Sequence, residues 1–217
     1  MRLTRIIAVL GLAAANALPA EVVLDRVAVV VGKRAVKSSD INRDVRVTAF
    51  LNKEPLSDNP EARKKAADRL VDQQIIRQEI ATGEYPRAHD SEAEELVNQI
   101  RSSRFAGSDA RLVAELNRYR LTKAQLQEHL LWQLTVLRFI DERFRPGVLV
   151  VDDDVRKYYD QHLADLRKQN PQDNSFETLE PKIRETLEGE EINKQFDDWL
   201  TAARSHIWIE FHSEVIK

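Results

Sequence analysis

Over most of this chain, apolar residues return every three or four positions, a period that leaves room for little besides amphipathic helices. From Glu61 onward, Ala62, Ala66, Leu70 and Ala67, Val71, Ile75 recur at intervals of four as far as Ile80, with stop signals at Gly83 and Pro86. The longest run opens at the capping-box pattern Thr122-Lys123-Ala124-Gln125 and reaches Phe144. Within it Leu126, Leu130, Leu134, Leu137, Ile140 and Phe144 share one stripe, and Trp132, Val136 and Phe139 fall on an adjoining one. That arc is wider than a half-solvated helix needs. The helix is therefore either central to the core, or it turns its second stripe toward something else.

Shorter helices fit the remaining segments. Ser38-Ser39-Asp40 offers N-caps to a helix over Ile41–Leu51, and Ser91-Glu92-Ala93-Glu94 is a second capping-box pattern. Asp109–Tyr119 carries Leu112 and Leu116 on one face. Asp152-Asp153-Asp154 caps the next helix, because carboxylates suit the free N–H groups of a helix start. Gln169–Ser175 is polar and reads as a loop, and Phe176 opens a last helix with Pro181 in its first turn and a weak point at Gly189. Two places break the helical period. Val22–Val31, Gly32-Lys33 and Arg34-Ala35-Val36 read as a hairpin, and Ile207, Ile209 and Phe211 alternate with polar or aromatic neighbours as a strand. A lone terminal strand must pair, so both ends of the chain are expected in one small antiparallel sheet. The expected class is mainly α with that sheet added (α+β).

Composition removes several kinds of chemistry. The 217 residues contain no Cys, so disulfides, thiol nucleophiles and Cys-based metal sites are excluded. A formal charge of −3 supplies no basic field for nucleic acid. Only 6 Gly are present, and no Walker loop, G-x-G-x-x-G or G-x-S-x-G occurs. The histidines at 89, 129, 162, 206 and 212 have no metal-ligand spacing, and the acidic pairs lie on helices where neighbours diverge by about 100°. No catalytic residue, metal site or cofactor is expected.

Arg2 and Arg5 precede an apolar stretch over Ile6–Leu18, with A-x-A cleavage patterns ending near Ala17 or Ala20. Such a stretch rises only about 20 Å, too little for a bilayer core of about 30 Å, and suits a secretory signal peptide. Its removal takes away two positive charges, moving the balance from −3 to −5, and also the single Met. The expected compartment is the periplasm, with no stable membrane insertion after cleavage.

Several segments, in order, carry a family likeness. Asp25–Gly32 followed by Ala35–Ile41 resembles the opening strands and Ser-Asp cap of the SurA N-terminal domain. Ala67–Ile76, with Asp72-Gln73-Gln74 at its middle, is similar to that family's second helix. Asp90–Glu94 and Leu121–Phe144 match later helices, Val151–Asp160 resembles the segment leading into the family's parvulin domain, and Phe176–Ile209 its closing helix and strand. The division this implies is a signal peptide at 1–20, a SurA N-terminal-like chaperone domain at 21–160, a loop at 161–175 and a returning helix and strand at 176–217. Relatives carry prolyl-isomerase domains where this chain has the loop, which is far shorter than the roughly 50 residues of a small domain. What the resemblance implies here is a holdase-type chaperone for unfolded outer-membrane or other exported proteins, without isomerase activity.

A holdase needs apolar surface open to a cleft, hydrogen-bonding groups for extended backbone, and net charge for solubility. The client-contact candidates are Trp132, Val136 and Phe139, followed by Tyr119 and Tyr158, and core packing explains the same side chains equally well. The rival expectations are an adaptor docking one folded envelope partner, or an isomerase with residual activity.

Overall fold

Valine-rich strands joined by a two-residue turn need a left-handed residue at the turn, and Gly32 supplies it with φ +57°. The computed structural model describes residues 25–169 and 174–217, so the expected signal peptide and Val22–Leu24 lie outside the described residues. β1 (Val27–Val31) pairs antiparallel with β2 (Arg34–Lys37) on one side and with β3 (Ile209–Phe211) on the other, giving the order β2-β1-β3. Val31 faces Ile209 and Val29 faces Phe211, so the two ends of the chain do meet in one sheet. A register shift between Val27 and Val29 bulges β1, and the Ala28 carbonyl accepts from the His212 N–H at 2.9 Å.

Between the strands run α1 (Ser38–Asn52), α2 (Pro60–Thr82), α3 (Asp90–Phe105), α4 (Asp109–Arg118), α5 (Lys123–Phe144), α6 (Asp152–Gln169) and α7 (Phe176–His206), with a short α8 (Ser213–Ile216) at the end. The fold is mainly helical with a small antiparallel sheet. No described helix is long and apolar enough to cross a membrane.

Helix starts follow the capping chemistry with two displacements. Thr122 and Gln125 form the expected reciprocal box, with Gln125 N–H donating to Thr122 Oγ1 at 3.1 Å and Thr122 N–H to Gln125 Oε1 at 2.9 Å. The box at α3 lies two residues earlier than the Ser91 pattern, because the Glu92 carboxylate reaches the His89 N–H at 2.8 Å. At α1 the helix already includes Ser38, and the orphan donors are met from outside it: Ser39 N–H and Oγ both donate to Asp25, at 3.0 and 2.6 Å. Those bonds hold the Asp25 carboxyl below its ordinary pKa.

Two boundaries differ from the sequence expectation. Residues 161–169 are not loop but the second half of α6, because Leu166 continues the apolar face that Tyr158 and Tyr159 begin, against Leu179, Ile183 and Val155. Only residues 170–175 then separate α6 from α7. Pro181 lies inside α7 rather than in its first turn, and α7 continues through Gly189. Leu179 and Ile183, on either side of the proline, are buried against Val155, so packing outweighs the lost helical bond.

The core has four regions: the sheet against α1, α2 and α8; α1 against α3, α4 and α5; α2 against α5 and α7; and α6 against α7. Buried Arg63 of α2 locks the chain end into the first, donating from Nε to the Ile216 carbonyl at 2.8 Å and from Nη2 to the Val215 carbonyl at 3.1 Å. Among the described residues, no helix covers the face of α5 that lies between α1 and α2.

Candidate functional site

Three helices set three matching stripes toward that open face. α5 contributes Gln125, Glu128, His129, Trp132, Gln133, Val136 and Leu137, a three-and-four spacing that places them along one side. α1 answers with Asp40, Arg43, Asp44, Val47, Thr48 and Leu51, and α2 with Arg69, Gln73, Gln74, Ile76 and Arg77. Phe196 and Leu200 of α7 close one end.

The groove consists of three adjoining recesses. The largest, about 650 Å³, lies at the α7 end and is lined by Leu51, Ile76, Val136, Leu137, Phe196 and Leu200 among others. A central recess of about 230 Å³ shares Asp44, Gln73, His129 and Trp132 with it. A third, about 340 Å³, shares Arg77, Glu128 and Trp132 with the central one. Trp132 is the single residue common to all three, so it forms the waist of the groove. The outer two recesses are of ligand-binding size.

Electrostatics divide the groove along its length. Asp44 is buried and paired with Arg69, which donates from both Nε and Nη2. At the α7 end Asp72 pairs with Arg204 at 2.5 Å, yet burial still raises its pKa above the ordinary value because Arg204 offsets only part of that cost. His129 is pushed below its ordinary pKa, first by burial, with Arg69 adding to that effect and Asp44 opposing it. At neutral pH it is an uncharged imidazole facing the groove. The Arg77 guanidinium lies 3.7 Å over the Trp132 ring and holds the indole in place. Among the described residues, the side-chain amides of Asn52, Gln73, Gln74 and Gln133 make no hydrogen bond within the chain. Each therefore presents an acceptor and two donors to whatever enters.

Of the five sequence candidates, the groove brings together only Trp132 and Val136. Phe139 is fully buried, in edge contact with Tyr85 at 4.8 Å and Phe144 at 6.0 Å and tilted against Trp199 at 5.4 Å, so it is a core residue and not a contact residue. Leu137, on the adjoining stripe, is 62% exposed at the groove. Tyr119 packs edge-on against Phe50 and donates its hydroxyl to the Glu54 carbonyl at 2.9 Å, away from the groove. Tyr158 lines a separate recess of about 450 Å³ beside α6 and α7, with His162 stacked on its ring at 4.1 Å. His129, Leu137 and the glutamines are not among the sequence candidates. The repeat 125, 129, 132, 136 marks them as one helical line, but periodicity does not tell which line is left uncovered. Among the described residues, no group of three or more His, Asp or Glu side chains is placed to hold a metal ion. No protein-family model matches the chain, and no curated protein matches it significantly.

Proposed function

We propose that this protein is a SurA-like, holdase-type chaperone of the periplasm that keeps unfolded outer-membrane or other exported polypeptides from aggregating. The observation that carries the reading is the uncovered groove, in which an apolar wall at Leu51, Val136, Leu137 and Phe196 stands beside the unpaired amides of Gln73, Gln74 and Gln133. An unfolded chain presents apolar side chains and unsatisfied backbone N–H and C=O groups together, and the groove offers a partner for each. Binding that state withdraws it by mass action from the strand-to-strand association that leads to aggregates. The reading excludes isomerase activity at the place where the resembled family carries its catalytic domains, because only residues 170–175 join α6 to α7.

The test dilutes a denatured outer-membrane β-barrel protein into buffer with and without the purified protein and follows light scattering. The expected result is slower aggregation with increasing protein, and no acceleration of isomerisation in a proline-containing tetrapeptide. Unchanged scattering at excess protein refutes the chaperone reading. Stoichiometric capture of one folded envelope partner in its place would favour an adaptor.

A further inference from the structure

The third recess of the groove has a charge character unlike the other two. Arg34 of β2, Arg77 of α2 and Arg87 of the loop before α3 all line it, together with Glu128, Trp132 and Thr135. Three arginines reach this recess from three separate parts of the fold. Among the described residues, none of the three guanidinium groups has a carboxylate partner, although Arg43, Arg69, Arg138 and Arg143 nearby are each ion-paired. Arg77 has only the indole face of Trp132. The one acidic side chain in the recess, Glu128, also faces Arg43 at 3.8 Å, so its charge is shared. The Thr135 hydroxyl is committed to the Leu131 carbonyl at 2.8 Å and to the Ala88 N–H.

A chain with a net charge of −3 that gathers three unpaired guanidiniums at one end of its groove has a local field opposite to its overall one. Guanidinium groups match the planar, two-oxygen geometry of a carboxylate. All three arginines are solvent-exposed, so the recess opens to the side and is not a closed chain-end cap. Resting on the chaperone reading above, we infer that the groove selects extended polypeptide segments in which apolar residues are followed along the chain by Asp or Glu side chains, with the apolar part beside Val136, Leu137 and Phe196 and the carboxylate at Arg34, Arg77 and Arg87. Trp132, common to both regions, sets the crossing point. The groove thus has a direction: oil at one end, anion at the other.

The test uses short fluorescein-labelled Leu/Val-rich peptides, acetylated and amidated, flanked by Glu, by Gln or by Lys, with a Gln-flanked peptide carrying a free C-terminal carboxylate as a fourth arm. Fluorescence anisotropy should give the order Glu above Gln above Lys. Exposed ion pairs support a step of about 1.4- to 5-fold for each pair formed, and the step should shrink as salt is raised. In a protein carrying both Arg34→Glu and Arg87→Glu, the order should invert, with Lys-flanked peptide now preferred over Glu-flanked. A merely structural role for the arginines cannot produce that inversion. Equal affinity for the Glu- and Gln-flanked peptides overturns the inference and leaves the chaperone reading standing. A gain confined to the free C-terminus overturns the side-chain assignment. Binding of none of the peptides overturns the chaperone reading and the inference with it.

Discussion

Phe139 and Trp132 lie seven residues apart on α5, nearly two turns, yet truncating each should fail in a different way. Phe139 has no exposed surface and touches Tyr85, Phe144 and Trp199, so Phe139→Ala opens a cavity in the α2–α5–α7 core. Deleting a buried Phe costs about 3–5 kcal/mol, including its aromatic contacts. For a chain of this size each kcal/mol moves Tm by about 2–4 °C, which predicts a fall of roughly 6–20 °C. Trp132 is half-buried at the groove waist, and Trp132→Ala loses mainly its contact with Arg77 and part of its burial. That loss is about 1–2 kcal/mol. Urea melts of both variants, followed by circular dichroism, measure the first quantity. Anisotropy with an unfolded client peptide, at a temperature where both remain folded, measures the second. Trp132→Ala should lose client affinity with a modest loss of stability, and Phe139→Ala the reverse. If Trp132→Ala proves as destabilising as Phe139→Ala and leaves peptide affinity unchanged, the groove assignment of Trp132 is wrong.

Other parts of the fold make separate predictions. Arg63→Ala removes two charge-assisted bonds to the Val215 and Ile216 carbonyls and should cost about 2–4 kcal/mol. Hydrogen exchange would show the loss concentrated in α8 and β3. Thr122→Ala breaks the reciprocal box that starts α5 and should cost about 1 kcal/mol in a urea melt. His129 has a folded pKa below its unfolded value of about 6.5, so its contribution to stability is intact above that value and falls as pH drops toward the folded pKa. His129→Asn should therefore lose less stability than the wild-type protein between about pH 7 and about pH 5, measured by urea titration at each pH.

How far these features are legible in the sequence depends on whether neighbours along the chain determine them. The hairpin is local: Gly32 must take a positive φ between two valine-rich runs, and Thr122 and Gln125 cap each other across one helical turn. The meeting of β1 and β3 follows from backbone accounting, since a terminal strand with no partner would leave its donors unsatisfied. What periodicity cannot supply is the direction each stripe faces. The sequence puts Leu137 and Phe139 on adjoining stripes of α5 without saying which is covered; Tyr85 and Trp199 cover Phe139, whereas Leu137 is 62% exposed. The α3 cap was displaced because Ser91 and Glu94 satisfy the usual pattern, while His89, a poor cap by type, gains from the reach of Glu92. His129 and the glutamines became visible only when α1, α2 and α5 came together.

The central claim is that unfolded polypeptide lies in the groove beside Trp132 and Leu137. It is tested most directly by a benzophenone probe placed at position 137 and, in a second protein, at position 113 of α4, whose Val113 is 39% exposed but lines none of the three recesses. After irradiation with a denatured outer-membrane protein, the account predicts strong cross-linking from position 137 and little from position 113. Equal yields at both positions, or none at 137, would contradict it.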